Sequence, residues 1–248
     1  MKVKCTDSNR ELILRIMETE LRSKAVYDPL PEFSYTVAYC KLQRDGFIIA
    51  EDSRAERLFQ TLSYLDLCDF PFESEKPDEG EIFYDTHDCS GTAYTNILCI
   101  FSARQRLLNR ALDTGNAFYV SEKLILDLLA HPPETIPEFL RALYGRDDEY
   151  TGICFRREYI SFPGFRKGHP EEKYIHRQLA DLIMENARSR LWIKPFTKNV
   201  RNKKYALHYW INSIGMIGEE YADARAVMLG RLYGTTRQRK IPNNKGGR

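Results

Sequence analysis

No stretch of the 248-residue chain approaches the run of about 18 apolar residues that a helix needs to cross a bilayer. The opening residues, MKVKCTDSNRELIL, carry charge but no apolar segment and no small-residue cleavage site, so no secretory leader is expected and the chain reads as cytoplasmic. Its six cysteines, Cys5, Cys40, Cys68, Cys89, Cys99 and Cys154, include no C-x-x-C pair. Scattered thiols argue against both a zinc site and a disulfide framework, and they read as reduced and mostly buried. Also missing are the phosphate loop G-x-x-x-x-G-K-S/T, the dinucleotide fingerprint G-x-G-x-x-G, the zinc-peptidase H-E-x-x-H and the hydrolase elbow G-x-S-x-G. The five histidines, His87, His131, His169, His176 and His208, show no metal-ligand spacing. No metal and no cofactor is expected, and the chain reads as a protein that binds a macromolecule, not one that catalyses a reaction.

What is present is a division of charge. The net charge of +2 conceals 17 Lys+Arg against 27 Asp+Glu in residues 1–155, and 20 against 8 in residues 156–248. Such asymmetry means either that one part meets a polyanion or an acidic surface, or that the two parts attract each other.

The pattern along the chain predicts an α+β protein in five sections. Residues 1–68 read as a small α-β-β-α module. Ser8-Asn9-Arg10-Glu11 has capping-box form before an amphipathic helix to about Ser23, and Pro29 and Pro31 prevent its continuation. Phe33, Tyr35, Val37 and Tyr39 alternate as a strand, Asp45-Gly46 turns it, and Phe47-Ile48-Ile49 returns. Asp52 or Ser53 then caps a second helix through Leu58, Phe59, Leu62 and Leu65. Residues 69–90 read as an acidic exposed linker.

Residues 91–165 form a mixed section. A buried strand is predicted over Thr92–Phe101, followed by a helix capped by Ser102, a strand near Ala117–Val120 and a helix capped by Ser121 that stops at His131-Pro132-Pro133. A short helix ending at Gly145 and a hairpin of Gly152–Phe155 with Tyr159–Phe162 complete it. Residues 166–234 read as basic helices. The first starts at Pro170 with a stripe of Tyr174, Leu179, Leu182, Ile183 and Ala187; the second is capped by Asn202, and the last runs from Glu219 to Tyr233. Residues 235–248 read as a disordered basic tail.

Three weak constellations suggest chemistry. Asp85, His87, Asp88 and Cys89 place a base near a thiol, but they read more simply as a solvated loop. Asp147, Asp148 and Glu149 could hold a hard cation, but they read more simply as a turn. His169, His176 and His208 lie in the basic half, where partly buried packing is the ordinary role.

The stronger signal is cation interleaved with aromatic. Arg156, Arg157, Arg166, Lys167, Arg188, Arg190, Lys194, Lys198, Arg201, Lys203 and Lys204 lie among Phe155, Tyr159, Phe162, Phe165, Trp192, Phe196 and Tyr205. Arg237, Arg239 and Lys240 follow in the tail. These cations suit phosphates and exposed rings suit unpaired bases, while Phe162, Leu191, Trp192 and Tyr205 are expected to fill the core.

Ser161-Phe162-Pro163-Gly164-Phe165, Asn202-Lys203-Lys204-Tyr205-Ala206, Ile214-Gly215-Met216-Ile217-Gly218 and Glu220-Tyr221 together resemble the virulence-related proteins of bacterial prophages and conjugative elements. Tyr35-Thr36-Val37 and Arg44-Asp45-Gly46 resemble that family's opening unit. The sequence departs from the pattern at Gly164, where tryptophan is usual, and at Thr235, where asparagine is usual. The resemblance implies an accessory protein of a mobile element and transfers no catalytic residue.

Three functions follow as expectations. The first is a non-enzymatic counter-defence factor, for example of anti-CRISPR type, that binds and inhibits a host nucleic-acid enzyme or defence complex. The second is a regulator of the mobile element that binds DNA or RNA through the basic C-terminal half. The third is an enzyme of unrecognised type.

Overall fold

The computed structural model describes residues 1–6, 9–29, 31–71, 77–196 and 201–237, and the chain divides into two compact units, Met1–Lys76 and Pro77–Arg248. The protein is α+β, with eight α-helices and small antiparallel sheets among the described residues.

The first unit sets two helices beside a five-stranded sheet. Its elements are β1 (Lys2–Lys4), α1 (Arg10–Leu21), β2 (Val26–Asp28), β3 (Ser34–Val37), β4 (Cys40–Leu42), β5 (Phe47–Ala50) and α2 (Glu56–Tyr64). Strand order is β1-β5-β4-β3-β2, and every pairing is antiparallel. Period-two alternation buries Cys40 and Leu42 of β4 and Ile48 and Ala50 of β5 beside Ile13, Ile16, Met17, Leu58, Phe59 and Leu62 of the helices. Asn9 is the cap of α1, its side chain accepting from the Leu12 N–H at 3.1 Å, whereas Ser8 lies outside the described residues. Asp52 caps the 3-10 turn that leads into α2, as expected. The alternating run from Phe33 is cut at Ala38, whose positive φ of 52° makes a tight turn between β3 and β4. The predicted strand therefore stops with β3, β4 is a separate strand beyond it, and β1 and β2, each three residues long, are too short to show a period.

The second unit is built around one long helix. Its elements are β6 (Phe83–Asp85), α3 (Gly91–Ala111), β7 (Tyr119–Val120), α4 (Glu122–Ala130), α5 (Ile136–Leu143), β8 (Tyr150–Thr151), β9 (Cys154–Phe155), β10 (Tyr159–Ser161), α6 (Lys173–Ser189), α7 (Lys203–Ser213) and α8 (Ala222–Gly230). Helix α3 packs against α4, α5, α6 and α8. The strand expected over Thr92–Phe101 is the first half of α3, and Ser102 lies inside that helix. Ser90 is the cap, accepting from the Ala93 N–H. Every residue of 93–101 is buried, the polar Thr95 and Asn96 included, so the segment shows no amphipathic period.

The acidic linker reading is also corrected. Phe83–Asp85 pairs antiparallel with β10, the central strand of the three-stranded sheet β6-β10-β9, so this segment is part of the second unit. Ser121 and Asn202 cap α4 and α7 as predicted, and the hairpin of β9 and β10 forms where expected. The predicted final helix is shorter, because 219–221 is a 3-10 turn and the α-helix begins at Ala222.

Rings dominate the core of this unit. Phe101 stacks on Phe118 at 4.8 Å and on Phe162 at 5.8 Å, and Tyr94, Phe139 and Phe155 meet one another at 5.0–5.2 Å. A Cβ on Gly164 would lie 2.6 Å from the Phe118 ring, so the tryptophan usual in the resembled family has no room here. Buried Asn109 joins α3 to β7: its amide donates to the Phe118 carbonyl at 2.7 Å, and its oxygen accepts from the Phe118 N–H and the Thr114 hydroxyl at 3.0 Å each.

Candidate nucleic-acid interface

The acidic half of the sequence is split between the two units, and its part from residue 77 onward shares the second unit with the basic half. Unit 1 carries 11 Lys+Arg against 14 Asp+Glu, while residues 77–155 carry 6 against 13 and residues 156–248 carry 20 against 8. Several predicted cations are used inside this unit. Arg166 pairs with Asp78 at 3.0 Å. Arg188 donates to the Asp85 carbonyl at 2.6 Å and approaches the Cys89 sulfur at 3.3 Å. Arg190 reaches the Ser213 carbonyl at 3.4 Å, at the C-terminal end of α7. Arg156 and Arg157 sit in the β9–β10 turn, half-buried, and the Tyr94 hydroxyl donates to the Arg156 carbonyl. Lys167 is exposed at the end of a 3-10 turn.

A second group has different surroundings. Among the described residues, Lys194, Arg201, Lys203, Lys204 and Arg237 have no acidic partner, and all but half-buried Lys204 are exposed. Lys198, Arg239 and Lys240 lie outside the described residues. Between Glu185 and Glu219 the sequence holds seven Lys or Arg and no acid. Lys203 and Lys204 occupy the first turn of α7, where the helix dipole is positive and like charge costs about 0.3–1 kcal/mol each. An anion at this end would relieve both.

The aromatics differ from expectation in a way that favours contact. Leu191 is 94% exposed and Trp192 61%, although both were expected in the core. Helix α6 ends at Ser189, and Arg190 is extended, so the pair leaves the helix stripe that buries Leu179, Ile183 and Ala187. Tyr174 is likewise half-exposed, and the stripe uses Ile175 and His176 instead. Tyr209 is 67% exposed and lies 27° from parallel with Tyr205, one turn away, at 6.4 Å. Phe162 is buried as expected.

The other constellations are occupied by the fold. His87 turns to Asp85, which lies 3.6 Å from its Nε2 and accepts from its backbone N–H, while the Cys89 sulfur faces Arg188. Glu149 takes two hydrogen bonds from Arg146, at 2.8 and 2.9 Å, and one from Ser121 at 2.8 Å. The guanidinium, first of all, holds its carboxyl down at about 2. Among the described residues no group of three or more His, Cys, Asp or Glu is placed to hold a metal ion. His169 pairs with Asp113 at 3.1 Å and His208 lies against Asn212. His176 is buried, stacked at 11° on Phe165, and burial lowers its pKa.

An open groove of about 470 Å³ between β6 and α6 is lined by Tyr84, Asp181, Met184, Glu185, Arg188 and Ser189. The Tyr84 hydroxyl donates to Asp181 at 2.7 Å, and Arg177 covers the ring at 4.7 Å from its centroid. Burial and then Asp181 push the phenol's pKa far up, so it stays a neutral donor. The turn at Gly215–Gly218 fits a DNA-reading helix poorly. Glu219, Glu220 and Asp223 lead the following helix, and Arg225 donates back to the Met216 and Gly218 carbonyls.

The acid-free run 186–218 is the signal that sequence reading missed, since charge counted over halves hides it. No helix is long and apolar enough to cross a membrane among the described residues. No protein-family model matches the sequence, no curated protein matches it, and no solved structure matches its fold.

Proposed function

We propose that the protein is a non-enzymatic accessory of a mobile element. In this reading it binds a host nucleic-acid enzyme or defence complex, in the manner of an anti-CRISPR factor, and inhibits it while the enzyme holds its DNA or RNA. The observation that carries this reading is the acid-free, cation-rich stretch with exposed Leu191 and Trp192 between Arg190 and Lys194. Unpaired cations neutralise phosphates and release counterions, and exposed rings add sequence-tolerant contact. The mobile-element context rests on the prophage-family resemblance, and with it goes a cytoplasmic site of action.

The test is capture of a guide-loaded nuclease by the tagged protein, against the empty nuclease and free nucleic acid. Preferred capture of the loaded enzyme, with loss of its cleavage activity, is the expected result; equal capture of the empty enzyme refutes the reading. A second reading, a regulator that binds DNA or RNA alone, is favoured by the same exposed Trp192. It predicts tighter binding to free nucleic acid than to the loaded enzyme.

A further inference from the structure

The start of α7 and the segment after α8 are stitched together. The Asn202 oxygen accepts from the Tyr205 N–H at 3.0 Å, and the Asn202 amide donates to the Thr235 carbonyl at 2.8 Å. Gly234 sits so close that a Cβ there would lie 2.2 Å from the Asn202 oxygen and 3.5 Å from the Lys204 Cβ, and its φ of +119° favours glycine. The described parts of two acid-free stretches, 201–218 and 232–237, therefore meet at Asn202. Arg201, Lys203 and Lys204 come from one side, and Tyr233 and Arg237 from the other.

Two exposed rings lie on the same two segments, α7 and the stretch after α8. Tyr233 is 83% exposed, and the Arg110 guanidinium lies 5.1 Å from its ring centroid. Tyr209 projects from α7 beside Tyr205. We propose that this ledge, Arg201, Lys203, Lys204, Tyr209, Tyr233 and Arg237 around the Asn202–Thr235 link, binds single-stranded nucleic acid. The cations meet the phosphates, and Tyr209 and Tyr233 stack on bases. A single strand offers free base faces to these rings, which a duplex keeps within its own stack. An acidic peptide would satisfy the cations but leave the rings idle. The inference deepens the binding reading above by naming what that surface holds.

The experiment is fluorescence anisotropy of the full chain with labelled oligo-dT and oligo-U, a duplex of equal length and a poly-glutamate peptide, across a salt series. Single strands should bind tightest, with affinity falling steeply in salt. Each of Lys203→Gln and Lys204→Gln should lower the salt slope by about 0.7, the share of one neutralised phosphate. Each of Tyr209→Ala and Tyr233→Ala should weaken binding about tenfold with the slope unchanged. Both tyrosines are exposed, so these variants should melt as the wild type does, which separates a missing stacking surface from a failure to fold.

Equal or tighter binding of the duplex or of poly-glutamate overturns the proposal, as does tyrosine replacement without effect. The two readings fail separately. Absent binding to bare single strands removes the ledge, whereas equal capture of empty and loaded enzyme removes the inhibitor reading.

Discussion

Replacing Glu149 with glutamine tests whether the acidic turn is structural. Its carboxylate receives Arg146 twice and Ser121 once, and the Arg146 guanidinium also reaches Asp127 at 2.8 Å. The network fixes the turn before β8 to the start of α4, beside the backbone bond from the Ser121 N–H to the Glu149 carbonyl. A carboxyl moved from an ordinary 4.5 to about 2 sets a ceiling of about 3.4 kcal/mol on the stability gained. Both side chains keep some exposure, 16% for Glu149 and 19% for Arg146, so solvent screening reduces the expected cost to about 1–2 kcal/mol.

For a domain of this size Glu149→Gln should then lower the midpoint by about 2–8 °C at neutral pH. The depressed carboxyl contributes fully above the unfolded value near 4.5 and loses its contribution as pH falls through about 2. Thermal unfolding followed by circular dichroism should show the wild-type advantage constant from pH 7 to 5 and gone near pH 2. An advantage that persists at pH 2, or a wild type stabilised by excess calcium, would refute the pairing.

Three further outcomes follow from His176, Gly91 and Asn202. His176, faced by Glu172, Arg231, His169 and the Phe165 ring, has a lowered pKa because burial disfavours its charge. The unfolded chain takes up that proton first, so stability should fall as pH drops below about 6.5, and His176→Phe should flatten that slope in acid titrations followed by fluorescence. Gly91→Ala should cost at least about 2 kcal/mol in denaturant unfolding, because its Cβ would lie 2.5 Å from the Thr135 carbonyl and 2.6 Å from that of Pro133. Asn202→Ala should cost about 1 kcal/mol through the missing cap of α7, measured the same way.

Local chemistry made parts of this fold legible. Ser121, Asn202 and Asp52 cap where their side chains allow, and Gly145 ends a helix with a φ of +74°. Buried symmetry hid the rest. Residues 93–101 are enclosed on all sides, so neither helical nor strand period appears, and only Ser90 marks the true start. Strands of two or three residues, such as Phe83–Asp85, carry too few side chains for alternation to show, and their partners are distant in sequence. For the candidate interface, residue types were readable but exposure was not. Leu191 and Trp192 look like core, and only the end of α6 at Ser189 turns them outward. The Asn202–Thr235 link joins positions 33 residues apart, beyond the reach of any local pattern.

Asn109 has a consequence for how this chain can drift over generations. An amide that takes the place of a strand partner has the reach of a single side chain, and it grips both Phe118 backbone groups and Thr114 at once. Surface loops elsewhere accept insertions at little entropic cost, but the span from Asn109 to Phe118 has one workable length. Descendants of this sequence should vary there by substitution, at exposed Asn116, and never by gain or loss of a residue.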